Sequence, residues 1–187
     1  MVDQGREGVL SPFLREQRFK AVAPYLKGRV LDFGCGAGEL CQQVAPEYYV
    51  GVDSDVPLLN QAKQRFPDYR FLPKLPDAEE RFDTIVALAV IEHVADAAQT
   101  LKDLAQRLNT QPLAQIVCTT PHPAVEWVHT AGATVGLFSR QAHEEHEQLL
   151  GPAQLPEVAA RAGLHITSYS RFLYGANQLV RFAVLKV

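Results

Sequence analysis

Cysteine is scarce in this chain, and its placement excludes more than its number. Cys35, Cys41 and Cys118 make neither an even disulfide framework nor a zinc spacing. No Cys-x-x-x-Cys-x-x-Cys run is present either, so an iron–sulfur cluster has no ligand set, and no resident metal is expected. Long apolar runs are missing as well: no stretch reaches the roughly 18 residues that a membrane-spanning helix needs. The first residues include Asp3 and Glu7 where a secretory leader would be apolar, and the expected compartment is the cytoplasm. Excess positive charge is lacking too. Eighteen Lys and Arg against 21 Asp and Glu give a net charge of −3, which predicts no general attraction to a nucleic-acid backbone. Arg15, Arg18, Lys20, Lys27 and Arg29 do gather near the N-terminus, where they read as a solvated helix face before the first strand.

What is present is an ordinary globular composition, 47% apolar and 21% charged over 187 residues, enough for one domain with a proper core. The most informative stretch is Val30-Leu31-Asp32-Phe33-Gly34-Cys35-Gly36-Ala37-Gly38-Glu39. An apolar strand ends in an acid, then three glycines stand at alternate positions where a helix is expected to open. A second strand ends in a carboxylate at Tyr48-Tyr49-Val50-Gly51-Val52-Asp53. Glycine amides and a helix N-terminus attract an anion, while an aspartate at a neighbouring strand end accepts from ribose hydroxyls. A dinucleotide fingerprint wants glycine or alanine where Glu39 stands, and a Gly-Lys-Ser/Thr phosphate loop is absent.

The surviving pattern, an apolar residue followed by Asp-x-Gly-x-Gly-x-Gly, resembles the first motif of the class I S-adenosylmethionine-dependent methyltransferases. The likeness continues through Gly51-Val52-Asp53 and through Phe82 to Val94, which contains the Glu92-His93 pair, and it covers roughly residues 29 to 120. It implies S-adenosylmethionine as the cofactor and S-adenosylhomocysteine as its product. It also implies roles for individual residues. Asp32, Gly34, Cys35, Gly36 and Gly38 would surround the methionine end. There Asp32 would orient the ammonium directly or through water, or else fix the loop. Asp53 and Ser54 would meet the ribose, and Leu88 and Ala89 would line the methionine end from the fourth strand. The usual Gly-Asp-Ala after the third strand is missing, so Leu72, Lys74 and Leu75 are the adenine candidates. His93 reads as structural.

Periodicity and turn signals give the order of elements. A helix starts at Ser11-Pro12 and runs towards Tyr25. Strands follow at Arg29 to Phe33, Tyr48 to Val52, Tyr69 to Leu72, Arg81 to Leu88 and Leu113 to Thr119. Helices are expected at Gly38 to Ala45, at Pro57 to Phe66 with Ser54 or Asp55 at its cap, and through Ala97, Leu101, Leu104 and Leu108. The alternation breaks over 121–151, an expected excursion across the acceptor side. A helix through Leu155 and Val158 and two strands at 164–173 and 178–186 complete the chain. Strands alternating with helices at this pitch give an α/β fold class with a doubly wound sheet; the resemblance implies its Rossmann-like, seven-stranded form, mostly parallel with an antiparallel C-terminal hairpin strand, as one domain over 1–187.

The histidines beyond the fifth strand are the candidate acceptor-side groups. Neutral imidazole is a good base near neutral pH, so His122, His143 or His146 could take a proton from a substrate hydroxyl. The 121–151 segment equally fits a polar lid. No Asn/Asp-Pro-Pro-Tyr follows the fourth strand and no Pro-Cys is present, which demotes nucleic-acid methylation. The expected reaction is methyl transfer to a hydroxyl or amine of a small-molecule or glycan-type acceptor, free or carrier-linked. Its rivals are a cofactor-binding partner without catalysis and, behind it, a nicotinamide-dependent oxidoreductase, which the missing Tyr-x-x-x-Lys pair disfavours.

Overall fold

The computed structural model describes residues 11–123 and 150–185. Strand β1 (Val30–Phe33) is short and, apart from the buried Asp32, apolar, as suits a strand covered from both sides. It pairs in parallel with β2 (Tyr49–Val52) on one side and β4 (Thr84–Leu88) on the other. Beyond β2 lies β3 (Arg70–Leu72). Beyond β4 lie β5 (Gln115–Pro121), β7 (Asn177–Val184) and the edge strand β6 (Leu164–Phe172). The sheet order is β3-β2-β1-β4-β5-β7-β6, with β7 antiparallel to both of its neighbours. This is the doubly wound, seven-stranded architecture expected from the sequence.

Alternate residues along the strands supply two cores. Leu31, Val50, Ile85 and Ile116 face Leu101 and Leu104 of α3 (Ala97–Ala105) and Val158 of α4 (Leu155–Arg161). Val30, Val86 and Val117 face the other way, towards Val22 and Phe19 of α1 (Ser11–Val22). A third cluster closes the β3 side, where Leu59 and Ala62 of α2 (Val56–Arg65) meet Tyr49 and Phe71. Local signals start the helices: Asp96 accepts from the amides of Ala98 and Gln99, and Asp55 accepts from that of Leu58. Asp55, not Ser54, therefore caps α2.

One expected element is corrected. The segment after the glycines is a five-residue 3-10 turn, Glu39–Gln43, not an α-helix to Ala45. Between Gly38, which is left-handed at φ 82°, and Pro46 there is room for barely two turns, too few to repay helix nucleation. The argument from a helix N-terminus thus falls away, and any anion at this point would rely on loop amides. The solvated basic face is corrected for its arginines, while Lys20 and Lys27 are exposed as expected. Arg15 pairs with Glu39 at 3.0 Å, Arg29 pairs with Glu80 at 2.7 Å, and Arg18 donates to Asn177 Oδ1 at 3.4 Å. The 121–151 excursion, with His143 and His146, lies outside the described residues except at its ends. No helix among the described residues is long and apolar enough to cross a membrane.

At the N-terminal end of the sheet, Asp83 ties three segments together. Its carboxylate accepts from the Arg29 amide at 2.8 Å and from Asn109 Nδ2 at 3.0 Å, and its carbonyl accepts from Gln115 N. A Cβ on Gly28 would lie 2.1 Å from Asp83 Oδ2, so the chain passes directly over the carboxylate. Replacing Asp83 by alanine leaves these donors unpaired and should cost about 2 kcal/mol. Urea unfolding should show this as a lower midpoint with an unchanged slope.

Candidate functional site

The C-terminal ends of β1, β2 and β4 converge on one edge of the sheet, where open α/β sheets place their ligand crevice. After β1 the chain turns through Gly34, Gly36 and Gly38, all with positive φ. Gly34 N and Cys35 N both donate to Val52 O, at 2.7 and 3.0 Å, which fastens the start of the turn to the end of β2. Gly36 N donates to Asp53 Oδ2 at 2.7 Å, and Asp53 Oδ1 accepts from Asp55 N at 2.8 Å. One carboxylate therefore shapes both the glycine turn and the entry to α2.

The glycines are needed for different reasons. A Cβ on Gly34 would fall 2.3 Å from Val90 Cγ2, so this glycine admits the β4 loop against the turn. A Cβ on Gly36 would meet nothing within 4 Å. The backbone there is bare on an open side, with room for a ligand. Across the gap β4 ends at Leu88, and Ala89 takes the left-handed conformation (φ 56°) while its amide donates to Thr119 O at 2.7 Å. A left-handed non-glycine residue held beside a crevice is a feature of ligand sites.

Asp32 lies behind the turn, 3% exposed, and Asp32 Oδ2 accepts from the Tyr49 hydroxyl at 2.6 Å. Burial pushes its pKa up to about 7, the Tyr49 hydrogen bond working against that rise and nearby Asp53 adding to it. Glu92 is a second buried acid, on the 3-10 turn Ile91–His93. Neither of its oxygens finds a well-formed hydrogen bond among the described residues, and the same holds for Thr119 Oγ1. Burial raises the Glu92 pKa, although its own amide, His93, Arg18 and Thr120 lie near enough to pull it down.

Of the residues singled out from the sequence, Gly34, Cys35, Gly36 and Gly38 form this turn, with Asp32 in the strand before it and Asp53 bonded to it from the end of β2. The Cys35 thiol points inward, since a Cβ on Gly51 would lie 2.9 Å from its sulfur, and burial pushes its pKa up. Ser54 is exposed just beyond Asp53, and Leu72 O accepts from Asp53 N at 3.1 Å at the end of β3. Leu88 and Ala89 stand at the end of β4, the strand beside β1. His122 follows β5, with its amide donating to Ala176 O at 2.9 Å. Partial burial and the neighbouring Arg171 hold its imidazole below the ordinary range. Tyr49 has no site role in the sequence reading, and Arg18 appears there only as part of the N-terminal basic group. The sequence signal for Tyr49 was a phenol standing two residues before Gly51 in an otherwise apolar strand.

A methyltransferase-domain family model matches residues 6–169 of the chain. The ubiquinone biosynthesis O-methyltransferase of Chelativorans sp. (strain BNC1) is 30% identical over 171 residues, covering 85% of this chain and 66% of that protein. The protein of the same name from Bartonella quintana (strain Toulouse) is 33% identical over 173 residues, 86% of this chain and 69% of its own length. The relative from Rhodopseudomonas palustris (strain TIE-1) is spanned to 62%. The chain thus covers a little under two thirds of the length of several such relatives. Among solved structures, magnesium protoporphyrin IX methyltransferase from Synechocystis PCC 6803 with bound S-adenosylhomocysteine superposes with a TM-score of 0.68 at 17% identity, covering 97% of this chain and 90% of that one. A methyltransferase in complex with the Haloferax volcanii Trm112 activator gives 0.74 at 15% identity, with 94% and 93% covered. At these identities the structural likeness concerns the fold.

Two tests address the site directly. Gly36→Ala should keep the fold, losing about 1 kcal/mol to the left-handed backbone, while filling the open side of the turn. Gly34→Ala should lower the unfolding temperature much more, because its Cβ collides with Val90. The second test concerns pH. Unfolded Asp32 gives up its proton near pH 4, whereas the folded protein holds it to about 7. Between these values the folded state binds more protons, so stability falls as pH rises. Asp32→Asn should therefore be more stable than the parent above pH 7, with the difference shrinking towards about pH 4 in thermal melts.

Proposed function

Because the chain belongs to the class I S-adenosylmethionine-dependent methyltransferases, we propose that it catalyses methyl transfer to a hydroxyl group of a small-molecule acceptor. The observation that carries the reading is the bare, open face of Gly36 beside the Asp53 carboxylate, with the buried acid Asp32 behind. A carboxylate able to receive ribose hydroxyls, a turn without side-chain cover and an acid without an ion pair among the described residues fit the cofactor. When bound, S-adenosylmethionine supplies a methyl carbon made electrophilic by its sulfonium.

The chain's own task is then to hold, orient and exclude water, and such positioning supplies much of the rate in transfers of this kind. Asp32 and the turn through Gly34, Cys35, Gly36 and Gly38 would hold the methionine end. Asp53 and Ser54 would hold the ribose and Leu72 would lie along the adenine. Leu88 and Ala89 would form the wall towards the acceptor. A hydroxyl nucleophile needs a proton acceptor. His122, its pKa held low and placed just beyond β5, is the first candidate, with His143 and His146 as the others. The hydroxyl is favoured over the amine because the relatives named above are O-methyltransferases. The acceptor itself is free or carrier-linked.

Calorimetry should show binding of S-adenosylhomocysteine and none of NAD, and Asp53→Ala should weaken it by about tenfold or more. With methyl-labelled cofactor, label should pass to hydroxyl-bearing acceptors and not to primary amines. Removing the base should lower kcat by about 100-fold or more while S-adenosylhomocysteine affinity stays unchanged, and His122→Ala is the first variant to measure. Binding of NAD with neither sulfur compound would refute the reading, and label found only on amines would refute its hydroxyl part.

A further inference from the structure

The 2.6 Å hydrogen bond between Tyr49 and Asp32 joins two side chains that are 1% and 3% exposed. An ionised carboxylate in such surroundings loses its hydration and keeps its charge only if donors or a cation replace the water. Among the described residues Asp32 forms no salt bridge, and the charged group facing it is Asp53, of like sign. The other ionisable neighbours are Cys35 and Cys41, whose thiols burial keeps protonated. From the flanking strands the residues paired with Asp32 are Gly51 and Val86, neither of which has a polar side chain. The Tyr49 hydroxyl is therefore the compensating donor that the carboxylate has.

That donor is fixed in place. The Tyr49 ring meets Tyr69 edge-on at 5.7 Å and Phe71 at 5.9 Å, and its β-ladder partner is Val30, two residues before Asp32. The phenol runs forward along the sheet to the carboxylate. Burial and the adjacent Asp32 also raise the phenol's own pKa well above its usual value, so it remains a donor across the working range. A phenylalanine facing an apolar residue would give a more stable core than this buried polar pair. The arrangement makes sense if the acid has to be available to a cation.

We propose that Tyr49 is a positioning residue for the cofactor: its hydroxyl aims the Asp32 carboxylate and keeps it ionised to receive the ammonium group of the methionine end. This rests on the assignment of Asp32 made under the proposed function. The ammonium, once bound, replaces the missing counter-charge, and Tyr49 lowers the cost of the state that waits for it.

The test is the pH dependence of S-adenosylhomocysteine affinity, measured by calorimetry for the parent, Tyr49→Phe and Asp32→Asn. In the parent, affinity should fall as pH drops below neutral. Tyr49→Phe should move that midpoint up by about one pH unit. Affinity near pH 7 then drops up to about tenfold and recovers to within about twofold near pH 9. A loss of equal size at every pH would mean a merely structural tyrosine, and no change would mean an idle one; both overturn the proposal. Asp32→Asn should weaken binding and flatten the profile. If it keeps the parent's affinity and profile, the assignment of Asp32 is what fails, whatever Tyr49 does. Should Tyr49→Phe not fold, the phenolic proton of the parent gives an independent measurement by NMR. It should be protected from exchange and shift both with pH through the same midpoint and on adding S-adenosylhomocysteine. A resonance indifferent to both would also overturn the proposal.

Discussion

The hydrogen bond from Gly36 N to Asp53 Oδ2, 2.7 Å long, joins the turn after β1 to the end of β2. The site depends on it in two ways. It holds a glycine backbone in the left-handed region, where little else would fix it, and it keeps the Asp53 carboxylate at the rim of the crevice. The same carboxylate accepts from Asp55 N, and Asp55 in turn caps α2. Turn, strand end and helix start are therefore one connected unit. Val52 O, accepting from Gly34 N and Cys35 N, is its second fastening.

The succession of strands and the glycine turn were legible in the sequence because they rest on local rules. Alternate glycines after an apolar strand have few other uses, and a strand such as Thr84–Leu88, buried on both faces, reads as apolar almost throughout. The helix expected after Gly38 failed for a reason of length: a run closed by Pro46 is too short to gain from helix formation, so it settles as a 3-10 turn. The arginines near the N-terminus departed from expectation for a different reason. Whether Arg15 is solvated or paired depends on Glu39, 24 residues on, and no periodicity within α1 carries that information.

Glu39 shows how one residue takes a meaning from its fold. In the sequence it marked only the loss of a dinucleotide fingerprint. In the structure it joins Arg15 of α1 at 3.0 Å and Arg65 of α2 at 2.9 Å, immediately after the glycine turn. Burial alone would push its pKa up, but the hydrogen bonds from Arg65 and Arg15 outweigh that and hold it below the ordinary range. The side chain that replaces a small residue here thus anchors two helices beside the crevice. Partly exposed pairs of this kind contribute modestly to stability, and their value lies more in orientation.

Asp32 and Glu92 present the opposite balance. Each is a carboxyl group buried near the C-terminal edge of the sheet, and each is raised in pKa chiefly by burial. A core made only for stability would have apolar residues at both positions. Asp32 keeps one strong donor in Tyr49, whereas Glu92 has none of good geometry among the described residues. The cost of these groups falls on the folded protein without ligand, and any bound cation or donor that satisfies them returns that free energy as affinity. Ligand binding and stability are linked in this way through the same few atoms, so the protein should be most responsive to its ligand where its buried acids are least well satisfied.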